Sequence, residues 1–154
     1  MHERYLEDLR IGARFEGGPY EVTESAIIEF AREFDPQPIH LDPKAAKESI
    51  FEGLIASGWH TAVITMRLLV KSGLNLAGGT IGLGADELRW PKPVRPGDKL
   101  RAEVEIIGLR PSRSKPDRGV VRIRYTTRNQ NDETVMTMTA TVLVLRRSAI
   151  QQPS

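Results

Sequence analysis

Ser57-Gly58-Trp59-His60-Thr61-Ala62-Val63-Ile64-Thr65-Met66-Arg67-Leu68-Leu69-Val70-Lys71 is the stretch on which the fold turns. Ser57-Gly58 opens a helix over roughly 58–71. Its residues Trp59, Ala62, Val63, Ile64, Met66, Leu68, Leu69 and Val70 leave almost no polar face. A helix apolar nearly all round is expected to be buried nearly all round. It is far shorter than the span of about 20 residues that a bilayer requires. Its surroundings must therefore be protein, most simply a sheet curled about it.

The chain on either side supplies that sheet. Downstream the period changes from helical to alternating. Leu100, Ala102, Val104 and Ile106 alternate with Arg101, Glu103 and Glu105; Val121, Ile123 and Tyr125 alternate with Arg122, Arg124 and Thr126. Met136, Met138, Ala140, Val142 and Val144 alternate with Thr137, Thr139 and Thr141. Each pattern predicts a half-buried strand. Residues 80–90 are a less regular fourth strand ending at Trp90-Pro91. Upstream, residues 13–22 predict a short strand closed by Gly17-Gly18-Pro19. Thr23 then caps a helix to about residue 33, with Ala26, Ile27, Phe30, Ala31 and Phe34 as its buried face. Asp42-Pro43 marks a further start, with Asp42 as cap and proline at the first helical position. Helices followed by consecutive strands indicate an α+β fold with an antiparallel sheet. A central helix wrapped by such a sheet is the hot-dog arrangement.

Composition narrows the chemistry. The 154 residues suit one domain with a real core. No cysteine is present, which excludes disulfides, thiolate metal sites and cysteine nucleophiles. With only His2, His40 and His60 as imidazoles, a zinc site is not expected. A net charge of +2, with basic residues scattered among acidic ones, gives no footprint for nucleic acid. Arg110, Arg113, Lys115 and Arg118 read as a solvated hairpin tip. Gly82-Leu83-Gly84 lacks the third glycine and following helix of a dinucleotide site, so no cofactor is expected. The opening Met1-His2-Glu3-Arg4-Tyr5 is charged where a secretory leader would be apolar, and no run spans a membrane; the expected location is the cytoplasm. Residues 5–147 are expected to form the domain and 148–154 a disordered tail.

The candidate chemistry lies in Phe34-Asp35-Pro36-Gln37-Pro38-Ile39-His40. Each proline fixes its own φ and biases the residue before it towards extended geometry. The segment is therefore expected to stay out of helix and to hold Asp35 and His40 on a short rigid rail. A carboxylate and an imidazole so placed suit the binding of a water molecule and the movement of its protons. The plainer alternatives are a turn-opening aspartate and a structural histidine.

Asp35-Pro36-Gln37-Pro38-Ile39-His40 resembles the hydratase motif of MaoC-like (R)-specific enoyl-CoA hydratases: Asp, any residue, Asn, Pro, aliphatic, His. Ala46 stands where that motif expects a small residue. The resemblance continues through Ile55-Ala56-Ser57-Gly58 and through Arg89-Trp90-Pro91-Lys92-Pro93-Val94-Arg95-Pro96-Gly97-Asp98, covering about residues 5–147. It implies a single hot-dog domain acting as a homodimer or a multiple of dimers, with a pocket at the subunit interface. It also implies reversible addition of water to a trans-2-enoyl-CoA thioester. Asp35 and His40 would be the catalytic pair and the Gly58 N–H the oxyanion donor.

Two positions depart from the pattern: Gln37 replaces the usual Asn, and Met66 stands where short-chain hydratases often carry serine. A helix N-terminus favours the negative charge that water attack drives onto a thioester oxygen, and glycine would let the thioester approach closely. The alternative for Gly58 is tight packing. His60 is expected to be a packing or hydrogen-bonded histidine. Arg89, Lys92 and Arg95 could meet coenzyme A phosphates, but solvation explains them equally well. Two other readings stay open: a thioesterase, disfavoured because residues 57–71 contain no acidic side chain, and a non-catalytic acyl-CoA-binding module.

Overall fold

The computed structural model describes residues 2–147; the tail expected at 148–154 lies outside them. Five strands form one antiparallel sheet in the order β1-β3-β4-β5-β2. They are β1 (Arg14–Glu21), β2 (Ile81–Arg89), β3 (Lys99–Pro111), β4 (Arg118–Arg128) and β5 (Thr134–Leu145). The helices are α1 (Glu24–Phe34), α2 (Pro38–Leu41), α3 (Pro43–Lys47) and α4 (Gly58–Val70). The alternation in the sequence becomes the pleat. Val104 of β3 pairs with Tyr125 of β4, which pairs in turn with Met138 of β5. Leu100, Ala102, Val104, Ile106, Val121, Ile123, Tyr125 and Val142 all point into the core. This is the α+β hot-dog arrangement, with the sheet curving around one side of α4. No helix among the described residues is long and apolar enough to cross a membrane.

The wrapping is close. A Cβ on Gly17 of β1 would fall 2.2 Å from the Leu68 carbonyl oxygen of α4, so only glycine allows the strand to lie there. Thr65 reaches down from α4 to the Thr127 hydroxyl at 2.7 Å and back to the Thr61 carbonyl at 2.9 Å. The Thr65 and Thr127 hydroxyls are thereby satisfied in the dry core.

Three expectations need correction. First, α4 is buried on one side only. His60, Thr61, Ile64, Thr65, Leu68 and Leu69 are buried. Trp59, Val63, Met66 and Val70 are 58%, 52%, 42% and 62% exposed. Their spacing of four, three and four residues lines them up as one apolar stripe. Second, Phe34 is 65% exposed rather than part of the α1 core; it ends the helix with its ring tilted against Phe30 at a centroid distance of 5.1 Å. Third, the prolyl segment does enter a helix. Pro38 occupies the first turn of α2, where its missing N–H costs nothing and its fixed φ is already helical. The caps at Thr23 and Asp42 form as expected, the first accepting from Ala26 N–H and the second from Lys44 and Ala45 N–H.

Candidate active site

Asp35 caps the C-terminus of α1 in a non-helical conformation. Gln37 then extends the chain, and the single turn of α2 carries His40 round to face it. The Asp35 Oδ2 lies 3.4 Å from His40 Nε2. The short helical turn therefore does what an extended rail was expected to do: it makes two side chains five positions apart converge.

Each partner is anchored. His40 is buried, and its Nδ1 lies 2.7 Å from the Ile55 carbonyl oxygen. A carbonyl only accepts, so Nδ1 carries a proton, and Nε2 is the ring nitrogen that faces Asp35. The Ile55 N–H in turn donates to the Ile39 carbonyl, and the Ala56 N–H to that of Val94. The segment leading into α4 is thus pinned to both α2 and the loop after β2. The Asp35 Oδ1 accepts from the Gln37 amide at 2.5 Å. Gln37 therefore reaches the carboxylate on its longer arm. Hydrogen bonds from the Ser57 hydroxyl and the Gln37 amide outweigh partial burial and, with the nearby His40, hold the Asp35 carboxyl below its ordinary range.

Ser57 is completely buried and caps α4, accepting from the Trp59 N–H at 3.3 Å. The first N–H groups of a helix have no partner within it. That of Gly58 finds no acceptor among the described residues. Asp35, His40 and Gly58 line one cavity of about 410 Å³, with Phe51, Ile55, Thr61, Trp90 and Val94 among its other walls. An imidazole, a carboxylate and the first residue of a helix thus line the same space. The arrangement can orient a water molecule, accept its proton and stabilise an oxyanion.

The sequence reading missed two participants. Ser57 was legible as the start of a helix, but not as a donor to Asp35. Trp90 was legible only as a strand end; its indole lies so close to Gly58 that a Cβ there would sit 2.6 Å from Trp90 Cε2. The room that glycine provides is therefore filled by Trp90, the tight-packing alternative, while the N–H stays free. His60 is absent from the cavity and stacks on Phe30, with ring centroids 4.7 Å apart. Met66 lies on the exposed stripe, away from the cavity.

Residues 9–130 match the family model described as MaoC like domain. The chain is 32% identical over 141 residues to the uncharacterized protein YdeM of Bacillus subtilis, covering 92% of this chain and 99% of that protein. It is 33% identical over 112 residues to the 3-hydroxybutyryl-CoA dehydratase of Methylorubrum extorquens, covering 72% and 69% of the two. The crystal structure of the MaoC-like dehydratase from Rhodospirillum rubrum superposes with a TM-score of 0.89 at 55% identity, covering 94% of this chain and 98% of that one.

Proposed function

Because the chain belongs to the MaoC-like domain family, we propose that it reversibly adds water to the double bond of an enoyl-CoA thioester, giving the (R)-3-hydroxyacyl-CoA. The observation that carries this reading is the 3.4 Å approach of Asp35 Oδ2 to His40 Nε2 at the cavity that Gly58 shares. An anion and a lone pair side by side are both acceptors, and a water molecule donating one hydrogen to each satisfies both. Its own lone pair is then left for carbon.

As the bond from water oxygen to C3 forms, one water proton passes to His40 Nε2. The C2–C3 π pair shifts towards the thioester and leaves negative charge on its oxygen. The Gly58 N–H and the positive end of α4 meet that charge. The proton on His40 is then delivered to C2, which restores the neutral ring. Asp35, kept acidic by Ser57 and Gln37, stays ionised, holds the water and favours the transient imidazolium.

The site also borders open surface. Trp59 belongs both to the cavity wall and to the exposed stripe of α4. Its neighbour Trp90 follows β2, a sheet edge that carries exposed Ile81 and Leu83. We infer that a second copy of the chain covers this side. Burying one such side chain contributes about 1.5–3 kcal/mol, against an association cost of about 4–15 kcal/mol. The stripe alone is marginal, and the free edge of β2 supplies the remainder.

The test is loss of the conjugated absorbance of crotonyl-CoA on adding the protein. Asp35→Asn and His40→Ala should each lower turnover by at least about 10²-fold with the fold intact. Full activity in either variant removes the dyad from the mechanism. Flat traces over short, medium and branched enoyl-CoAs would instead support a binding module.

A further inference from the structure

Both tryptophans of the chain stand at this cavity, and the mechanism uses neither. Their rings meet edge to face, with centroids 5.3 Å apart and planes at 78°. They are not equivalent. Trp59 leans onto the open side of α4, whereas Trp90 is pressed onto the first helical turn. A Cβ on Gly58 would lie 2.6 Å from Trp90 Cε2 and 2.8 Å from Cδ2, distances that nonbonded carbons do not reach. The indole therefore covers the Cα of the residue whose N–H is proposed to meet the thioester oxygen.

Its position is also constrained on two sides. Pro91 follows directly and biases Trp90 towards extended backbone. The Lys92 ammonium is paired with the Glu133 carboxylate of the hairpin beyond β4. The ring of Trp59 blocks one sideways movement, and Gly58 blocks the inward one. An indole has only two side-chain torsions, so although Trp90 is 39% exposed it has fewer ways of yielding to a ligand than a methionine would.

We infer that Trp90 is the specificity-determining residue of this site, its indole restricting the acyl group to compact chains. The inference rests on the hydratase reading, because that reading fixes where the substrate lies. With the thioester oxygen at the Gly58 N–H and C3 at the Asp35–His40 pair, the first three carbons have no freedom left. Every further carbon must find room along the walls of the cavity that holds the dyad, and the bicyclic ring of Trp90 is the bulkiest of those walls at its Gly58 end. A longer chain meets the ring and loses contact with Gly58 or with the dyad. A short chain fits under the ring and keeps both.

The experiment compares kcat/KM of wild type, Trp90→Phe and Trp90→Leu on trans-2-butenoyl-, hexenoyl- and octenoyl-CoA. Wild type should favour butenoyl-CoA. Trp90→Leu should raise the octenoyl-to-butenoyl ratio at least about tenfold, within the range that small volume changes in an apolar pocket produce. Trp90→Phe, which keeps an aromatic ring over Gly58, should lie between and covers the case of a leucine variant that does not fold. All substrates slowing alike, with the ratio unmoved, would overturn the inference. If wild type turns over no enoyl-CoA, the hydratase reading fails by itself. Calorimetric binding of butyryl-, hexanoyl- and octanoyl-CoA then decides the role of Trp90. A length preference that relaxes in Trp90→Leu upholds it, while an unchanged preference, or no binding of any thioester, overturns it.

Discussion

The two sides of α4 are almost equally apolar and meet opposite fates. Ile64, Leu68 and Leu69 are sealed beneath the sheet, whereas Trp59, Val63, Met66 and Val70 form a stripe open to solvent in the single chain. Polar groups are distributed in the unexpected direction. Thr61, Thr65 and His60 lie on the buried side, where hydrogen bonds serve the Thr65 hydroxyl and ring stacking the histidine. The open side has only Arg67 between its apolar positions, with the guanidinium over the Tyr20 ring. Hydropathy thus records that a residue is to leave water. It does not record which side of the helix its own chain covers.

The largest expected effect comes from placing a charge on the open side. In Val63→Asp, a two-fold interface would bury the same carboxylate twice. An uncompensated buried charge costs about 3–5 kcal/mol, so the pair offsets most of what the stripe supplies and leaves the association cost unmet. Sedimentation should show the single chain, with helical circular dichroism unchanged and hydratase turnover lost with the covering copy. Wild-type sedimentation in this variant would mean that the stripe faces water in the assembled protein as well.

Truncation on the sealed side should act within one chain. Leu68 is 4% exposed and its backbone lies directly against Gly17. Leu68→Ala should cost about 2–5 kcal/mol in chemical denaturation, because the rigid strand at Gly17 prevents collapse of the cavity. Met66→Ala, measured where the protein is a single chain, should stay within about 0.5 kcal/mol of wild type. Similar costs at the two positions would abolish the distinction between the sides.

The same contrast marks how far the sequence is legible. Periodicity located α4 and the alternating strands because it reports which face of an element avoids water, and every element states this locally. The Asp35–His40 pair was legible for a related reason: five residues of stiff chain leave few ways to separate two side chains. Contacts between distant segments carry no such local mark. The Ser57 hydroxyl reaches Asp35 and the Trp90 indole reaches Gly58 only once α1, α4 and the loop after β2 have been brought together. Pro38 was misjudged through weighting. Its effect on the preceding residue was applied to the whole segment, although the same fixed φ makes it a good first residue for the turn that carries His40.

The smallest expected effect concerns the titratable residue of the sealed side, His60. Its ring is buried face to face on Phe30 and its Nδ1 has no partner among the described residues, so burial holds its pKa below the ordinary value. Above about pH 6.5, the usual histidine value, folded and unfolded chains both keep this ring neutral, and the associated stability is fully present. As pH falls through that value the unfolded chain takes up the proton first, so stability declines until the folded ring protonates as well. Thermal midpoints of wild type should therefore fall on mild acidification, before the carboxylates titrate. His60→Phe, which keeps a ring against Phe30 and removes the proton site, should flatten that part of the profile. An equal slope in wild type and His60→Phe would show that the sealed side of α4 accepts a charge, leaving the two sides different in degree rather than in kind.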